Sequence, residues 1–181
     1  MQSPLEHVYH DDEWGVPQTD DRALFEFLVL ESAQAGLSWR TVLEKREGYR
    51  RHYCNFDPER VARFGETEVA AMLADPGVIR NRAKIEASIN NAKVFLRLQS
   101  HHGSFARFLW RYVEGQPIQS GFERMEQIPA QTALSVQLAK DLKREGIRFF
   151  GPTIAYAYMQ AVGLVNDHLL HCPRQKACRE L

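Results

Sequence analysis

The chain has 181 residues, enough for one domain or two small ones around a buried core, and its 23 Lys and Arg balance its 23 Asp and Glu. Zero net charge excludes a polycation that coats nucleic acid indiscriminately but not a local basic patch. A membrane span and a secretory leader are not expected, and three scattered cysteines (Cys54, Cys172, Cys178) are too few for a disulfide framework, so a soluble, cytoplasmic protein is expected.

In chain order the pattern is helical almost throughout. Asp20 caps a helix to about Gly36, with Leu24, Leu28, Glu31 and Ala35 on one stripe. Ser38 caps a second carrying Trp39, Val42 and Leu43. Asp57-Pro58 starts another, and Thr67 caps a short helix to about Ala74. After the turn Asp75-Pro76-Gly77 comes a long helix with Ile85, Ile89, Ala92 and Leu96, ending near Gly103. Ser104 caps "FARFLWRYV". The stretch Gly115 to Pro129 reads as loop, and a helix from about Ala130 to Glu145 stops at Gly146. No period-2 run, repeat or low-complexity segment interrupts the series. The expectation is an all-α fold in one domain over 1–181.

Three groups of residues invite a chemical reading. Around residues 131–162 a helix, a glycine-bounded hairpin (Gly146 to Gly151) and a second helix opening at Pro152-Thr153 form a helix-hairpin-helix layout. Lys140, Lys143, Arg144 and Arg148 lie nearby. Backbone N–H groups at such a helix start suit a phosphate; an ordinary helical corner with a solvated basic face is equally compatible with the spacing.

Glu31 is the second. A carboxylate on an inward stripe is costly unless paired. It either reaches water or an arginine at the rim, or it waits for a ligand. Ala35-Gly36-Leu37 permits close approach of a partner, and Tyr9, Trp14 and Trp39 are near in sequence. A carboxylate among aromatic faces fits a flat, electron-poor or cationic heterocycle; the same aromatics also serve as ordinary core.

Third, His168 and Cys172 are four apart, on one helical face or in a compact turn. His10 could join them on Zn²⁺ and tie the two ends of the chain together. The H-x-x-x-C spacing alone is a weak signal.

The segments "YHDDEWGVP", "LESAQAGLSWRTVLEKREGYR", "FDPERVA", "GVIRNRAKIEASINNA" and "FFGPTIAYAYMQAVGLVNDH" resemble the bacterial 3-methyladenine DNA glycosylase I family of base-excision repair, over nearly the whole chain. The resemblance implies a helix-hairpin-helix glycosylase fold and release of N3-alkylated purines from double-stranded DNA by a monomer. It implies Glu31 in the base pocket on the adenine edge, Tyr9 and Trp39 lining it, and Trp14 close by. It also implies Gly36-Leu37 at the gap left by the extruded nucleotide, and a phosphate grip at Gly146, Arg148, Gly151 and Thr153. His10, His168 and Cys172 match three of four ligands of a structural zinc. The family's Cys-x-Trp segment before the Tyr-His pair has no counterpart in "MQSPLEHVYH". The fourth ligand would then come from His7, His171, Cys178 or water.

No lysine falls in the pocket motifs, so a Schiff-base lyase activity is not expected. Asp167, in "LVNDH", is a rival catalytic group, in the place where related hairpin glycosylases carry an aspartate; otherwise it is a helix cap or a partner of His168. A catalytically idle damage-binding protein and a metal hydrolase built on the His/Cys cluster are the competing functions.

Overall fold

The protein is described by a computed structural model covering residues 3–181. The helices are α1 (Pro4–Asp12), α2 (Asp21–Gln34), α3 (Trp39–Glu44), α4 (Arg46–His52), α5 (Pro58–Val61), α6 (Glu66–Ala74), α7 (Arg82–His102), α8 (Phe105–Trp110), α9 (Ala133–Glu145), α10 (Pro152–Ala161) and α11 (Pro173–Arg179). Two-residue strands β1 (Ile118–Gln119) and β2 (Val165–Asn166) pair in parallel. The fold is all-α, as the periodicity predicts. Among the described residues no helix is long and apolar enough to cross a membrane.

Caps set most of the boundaries. Asp20 accepts from the Ala23 N–H at 2.8 Å, Ser38 from Thr41 at 3.2 Å and Ser104 from Arg107 at 2.9 Å. Gly103 (φ 81°) ends α7 and Gly146 (φ 102°) ends α9, both left-handed, where a Cβ would be strained.

Several expectations need correction. α6 is capped by Gly65, whose N–H donates to Glu68 Oε2 at 2.8 Å, and not by Thr67. α9 begins at Ala133 because Thr132 and Ser135 form its capping box. α1, α4 and α11 are additional to the helices that the pattern predicts. The strand pair is too short to leave a period-2 signature.

α2 is the largest correction. It is buried from Leu24 through Ala33 with only Glu26 as a break, and it ends at Gln34, so Ala35 lies outside it. It is therefore a central helix, not an amphipathic stripe. α7 packs along it, α8 follows α7 back, and α9 and α10 form the other side. The aromatic ladder Phe25, Phe95, Phe105, Phe108 joins α2, α7 and α8, with successive ring centroids 5.2, 4.1 and 5.6 Å apart.

Asp21, in the first turn of α2, ties three ends together. Its carboxylate accepts from the Phe105 and Ala106 N–H groups at 2.8 Å each and from Gln99 Nε2 at 2.6 Å. Asp21→Ala strips the start of α8 of two acceptors. It is expected to cost about 2–4 kcal/mol in urea unfolding, against about 1 kcal/mol for the exposed cap Asp20→Ala. Equal losses would refute this role.

Candidate active site

Glu31 sits in the last buried turns of α2, 3% exposed. Its Oε2 is sealed from solvent with no protein hydrogen-bond partner, and no ion pair involves it among the described residues. Burial alone lifts its pKa from 4.5 to about 8. The carboxyl is therefore mostly protonated near neutrality.

Tyr9 faces this group from α1. Its hydroxyl is pushed well above its ordinary range by burial, then by Glu31 and Glu13. Its ring lies 5.2 Å from Trp39 and 6.3 Å from Phe27. A cavity of about 480 Å³ opens in front of these rings, lined among others by Tyr9, His10, Trp14, Trp39, Asp167 and His168. Glu31 is not part of that lining. The expectation that it projects into the pocket is thus met only in part: the carboxylate is buried and unpaired, and its neighbour Tyr9 forms the wall. At 5.2 Å Tyr9 and Trp39 touch each other and leave no slot for a third ring between them.

Arg46, which nothing in its own stretch of sequence marks out, braces this wall. It donates to both oxygens of Glu13 at 2.7 Å, donates to Glu26 at 2.6 Å, and lies 5.6 Å from the centre of the Phe27 ring behind Tyr9. One guanidinium so joins α4 to the end of α1 and to α2.

The histidines meet beside the cavity. Trp14 stacks on His10 (5.9 Å) and stands edge-on to His168 (4.6 Å). Gly15, at φ 78°, lies so close that a Cβ would come within 2.7 Å of the His168 ring. His168 Nδ1 pairs with Asn166 Oδ1 at 2.9 Å. Because Asn166 Nδ2 already donates to Gln119 and Gln175, the histidine is the donor. That leaves Nε2 as a buried lone pair without a partner, and burial, then His10, lowers the His168 pKa to about 4. Cys172 Sγ is 3.8 Å from His10 Nε2, near the about 3.5 Å separating an S and an N ligand on tetrahedral zinc. His168 and Cys172 are in a turn rather than on one helix face, with Cys172 capping α11. No cluster of three or more His, Cys, Asp or Glu is preassembled for a metal among the described residues.

Asp167 is buried and paired within the protein. It accepts from Ser120 Oγ at 2.5 Å, from Gln160 Nε2 at 2.8 Å and from the Tyr156 hydroxyl. Tyr156 and Gln160 occupy Oδ2, while Oδ1 carries only the Ser120 bond, so the carboxylate is anchored chiefly by the protein.

On another face, α9 and α10 are joined by the hairpin 146–151, which borders a shallow hollow with Lys143 and Arg148 at its edge. Gly151 precedes α10 with no side-chain cap, so the N–H of Thr153 and its neighbours point outward. Phe149 is 40% exposed and held at φ 55°. Leu37, 41% exposed, stands on the Gly36 turn after α2. The structure thus brings Glu31, Tyr9 and Trp39 together and gathers Trp14 with the His/Cys group. Gly36-Leu37 and the hairpin are separate surface features.

Residues 1–175 match the methyladenine glycosylase family. The chain is 47% identical over 171 residues to DNA-3-methyladenine glycosylase 1 of Escherichia coli, covering 94% of this chain and 91% of that one. It is 44% identical over 165 residues to DNA-3-methyladenine glycosylase of Haemophilus influenzae, covering 91% and 89%. Among solved structures, a Tyr-to-Phe variant of a 3-methyladenine DNA glycosylase I in complex with 3-methyladenine superposes with a TM-score of 0.94 at 37% identity, covering 97% of this chain and 94% of that one.

The folded chain holds the Glu31 proton more tightly than the unfolded chain does. Stability therefore falls as pH rises from about 4.5 toward about 8 and levels off above that, by roughly 3–5 kcal/mol. Glu31→Gln, uncharged throughout, is expected to be more stable than wild type at about pH 9 and similar at about pH 5. Melting curves that run parallel across that span would show that the carboxylate is not desolvated.

Proposed function

The chain belongs to the methyladenine glycosylase family and hydrolyses the N-glycosidic bond of 3-methyladenine in DNA repair; we propose that Glu31 and the Tyr9–Trp39 wall select the base. The observation that carries this assignment is the buried carboxyl of Glu31, which has no partner within the protein.

The target base is unreachable inside a duplex, so the nucleotide rotates out of the stack, at a cost of a few kcal/mol. Methylation at N3 leaves the adenine cationic in DNA. That charge already weakens the bond to the sugar, so departure needs little acid catalysis. A cation arriving in front of Tyr9 favours loss of the Glu31 proton, and the carboxylate then accepts a hydrogen bond from the adenine edge. Trp39 swings from its contact with Tyr9 to stack on the ring. As the C1′–N9 bond breaks, its electron pair neutralises the base. Water adds at C1′ and gives its proton to solvent. Normal adenine brings no charge to offset ionisation of Glu31, and its glycosidic bond survives the visit.

The helix–hairpin–helix 131–162 holds the phosphate backbone through the N–H groups of Gly151 and Thr153 with Arg148 beside them, and Leu37 fills the gap in the stack. The protein works on duplex DNA as a monomer in the cytoplasm.

His10, His168 and Cys172 suit zinc by donor type, and His168 fits best, with Nδ1–H anchored and Nε2 bare. Bound there, the metal would supply a cross-link between α1 and the segment before α11. Metal analysis of purified protein is expected to find zinc that Cys172→Ser loses, with a lower melting temperature. Wild-type protein that purifies without zinc and melts no higher than Cys172→Ser would remove the staple.

Incubation with methylated DNA is expected to release 3-methyladenine. Glu31→Gln should slow release roughly 100-fold, about 3 kcal/mol for a charge-assisted bond. Asp167→Asn should disturb its hydrogen-bond network and stability more than the rate. Excision abolished in folded Asp167→Asn but spared in Glu31→Gln would exchange the roles.

A further inference from the structure

The N-terminal half of α7 contributes nothing to the cavity lining, yet it is fastened to both surface features assigned to DNA. Lys84 Nζ donates to the carbonyls of Ala33 and Ala35 at 2.8 and 2.6 Å, closing the open end of α2 just before Gly36-Leu37. Two turns along α7, Asn91 clasps the hairpin. Its Oδ1 accepts from the Arg148 N–H at 2.8 Å, and its Nδ2 donates to the Arg148 carbonyl at 3.0 Å. Asn90 Nδ2 donates to the Gly146 carbonyl at 2.7 Å, and Arg97 donates to the Glu145 carbonyl.

We infer that α7 is a ruler: Lys84 and Asn91, on one stripe of the helix, fix the spacing between the Leu37 tip and the phosphate-gripping hairpin. This rests on the glycosylase reading above and adds positioning residues to it.

Several features support the inference. Residues seven apart return to the same face, about 10 Å apart along the axis. Both sets of contacts are backbone-directed, so they fix loop position whatever the loop's side chains are. Asparagine is a poor choice inside a helix, and two in succession at mid-helix call for a reason. Asn91 is also buried, and apart from a long 3.4 Å bond from Asn90 its side-chain partners lie on the hairpin. Phe149, next to the clasped Arg148, is held in a left-handed conformation that a bulky residue seldom adopts. A hairpin free to relax would not keep it. A lysine whose burial lowers its pKa is likewise placed for its contacts rather than for solvent. A base flipped at one point and phosphates gripped at another need a fixed distance, because small misplacements are expensive in rate.

The test uses Lys84→Met and Asn91→Leu, singly and together, in the full chain. Three readouts are followed: single-turnover release of 3-methyladenine from methylated duplex, binding of free 3-methyladenine by tryptophan fluorescence, and melting temperature. Each single variant is expected to slow release at least tenfold while binding the free base within twofold of wild type. The double variant should lose little more than the worse single, since a ruler broken at one end no longer measures. Lys84→Arg and Asn91→Asp keep one contact each and should recover part of the rate; they also serve if the first pair does not fold. The ruler is overturned by wild-type release rates in folded variants, by losses that multiply in the double variant, or by a parallel loss of free-base binding. Wild-type protein that neither binds nor releases 3-methyladenine would instead sink the glycosylase reading beneath it.

Discussion

A carboxyl group without a protein partner, deep in the central helix of the fold, is the constraint around which the rest is arranged. Removing such a group from water is tolerable only in its neutral form, and the apolar shell around Glu31 keeps it protonated. The chain accommodates this by burying nearly every other face of α2: Leu24, Phe25, Phe27, Leu28, Val29 and Leu30 all pack into the core just ahead of it. In the base-recognition role proposed for Glu31, the same burial that disfavours the anion would supply its selectivity. In a low-dielectric setting a cation is worth far more to a carboxylate than a neutral ring of the same shape.

The walls of the site differ in how firmly they are held. Tyr9 is backed by Phe27, which lies under Arg46, and Arg46 is locked by Glu26 of α2 and by Glu13 just past the end of α1. Trp39 has its ring against Tyr9 but its buried indole N–H unpaired, and α3, which carries it, is only six residues long. Tyr9 is thus the more firmly braced part of the wall, and Trp39 the less. Asp167 belongs to the braced part. With Ser120, Gln160 and Tyr156 all donating to it, it ties the segment after β2 to α10 and to Ser120 just past β1.

Much of this was legible in the sequence, and the reason is local. Caps such as Asp20, Ser38 and Ser104 act within a turn of their own position, so the helices they start could be placed from composition. The Ser3–Glu6 capping box of α1 is a signal of the same local kind. Glu31 stood out because a carboxylate in an apolar run is anomalous in itself. Arg46, Lys84 and Asn91 did not stand out. Their meaning lies in partners 20 to 57 residues away, and a charged or amide residue on a helix looks like solvated surface until those partners are known. The assumed stripe on α2 failed for a related reason. Periodicity reports one buried face, and α2 is enclosed by neighbours that its own sequence does not reveal.

The distribution of unsatisfied groups separates a binding site from a loosely packed core. Buried side-chain polar atoms are paired across the described chain except for Glu31 Oε2, Ser32 Oγ, Trp39 Nε1, His168 Nε2 and Arg174 Nε. Random packing faults would scatter such atoms through the α5–α8 half as readily. Instead that half closes its polar groups with care, as Tyr53 and Ser88 do at 2.8 Å inside the core. Three of the five, on Glu31, Ser32 and Trp39, belong to α2 and α3 around the aromatic wall. The other two lie in the C-terminal segment that carries the cavity's histidine edge. An acceptor, a donor and a bare imidazole nitrogen left unpaired at one seam are costly, on the order of 1–3 kcal/mol apiece. A chain that satisfies its polar atoms elsewhere retains that cost where incoming ligands complete the set.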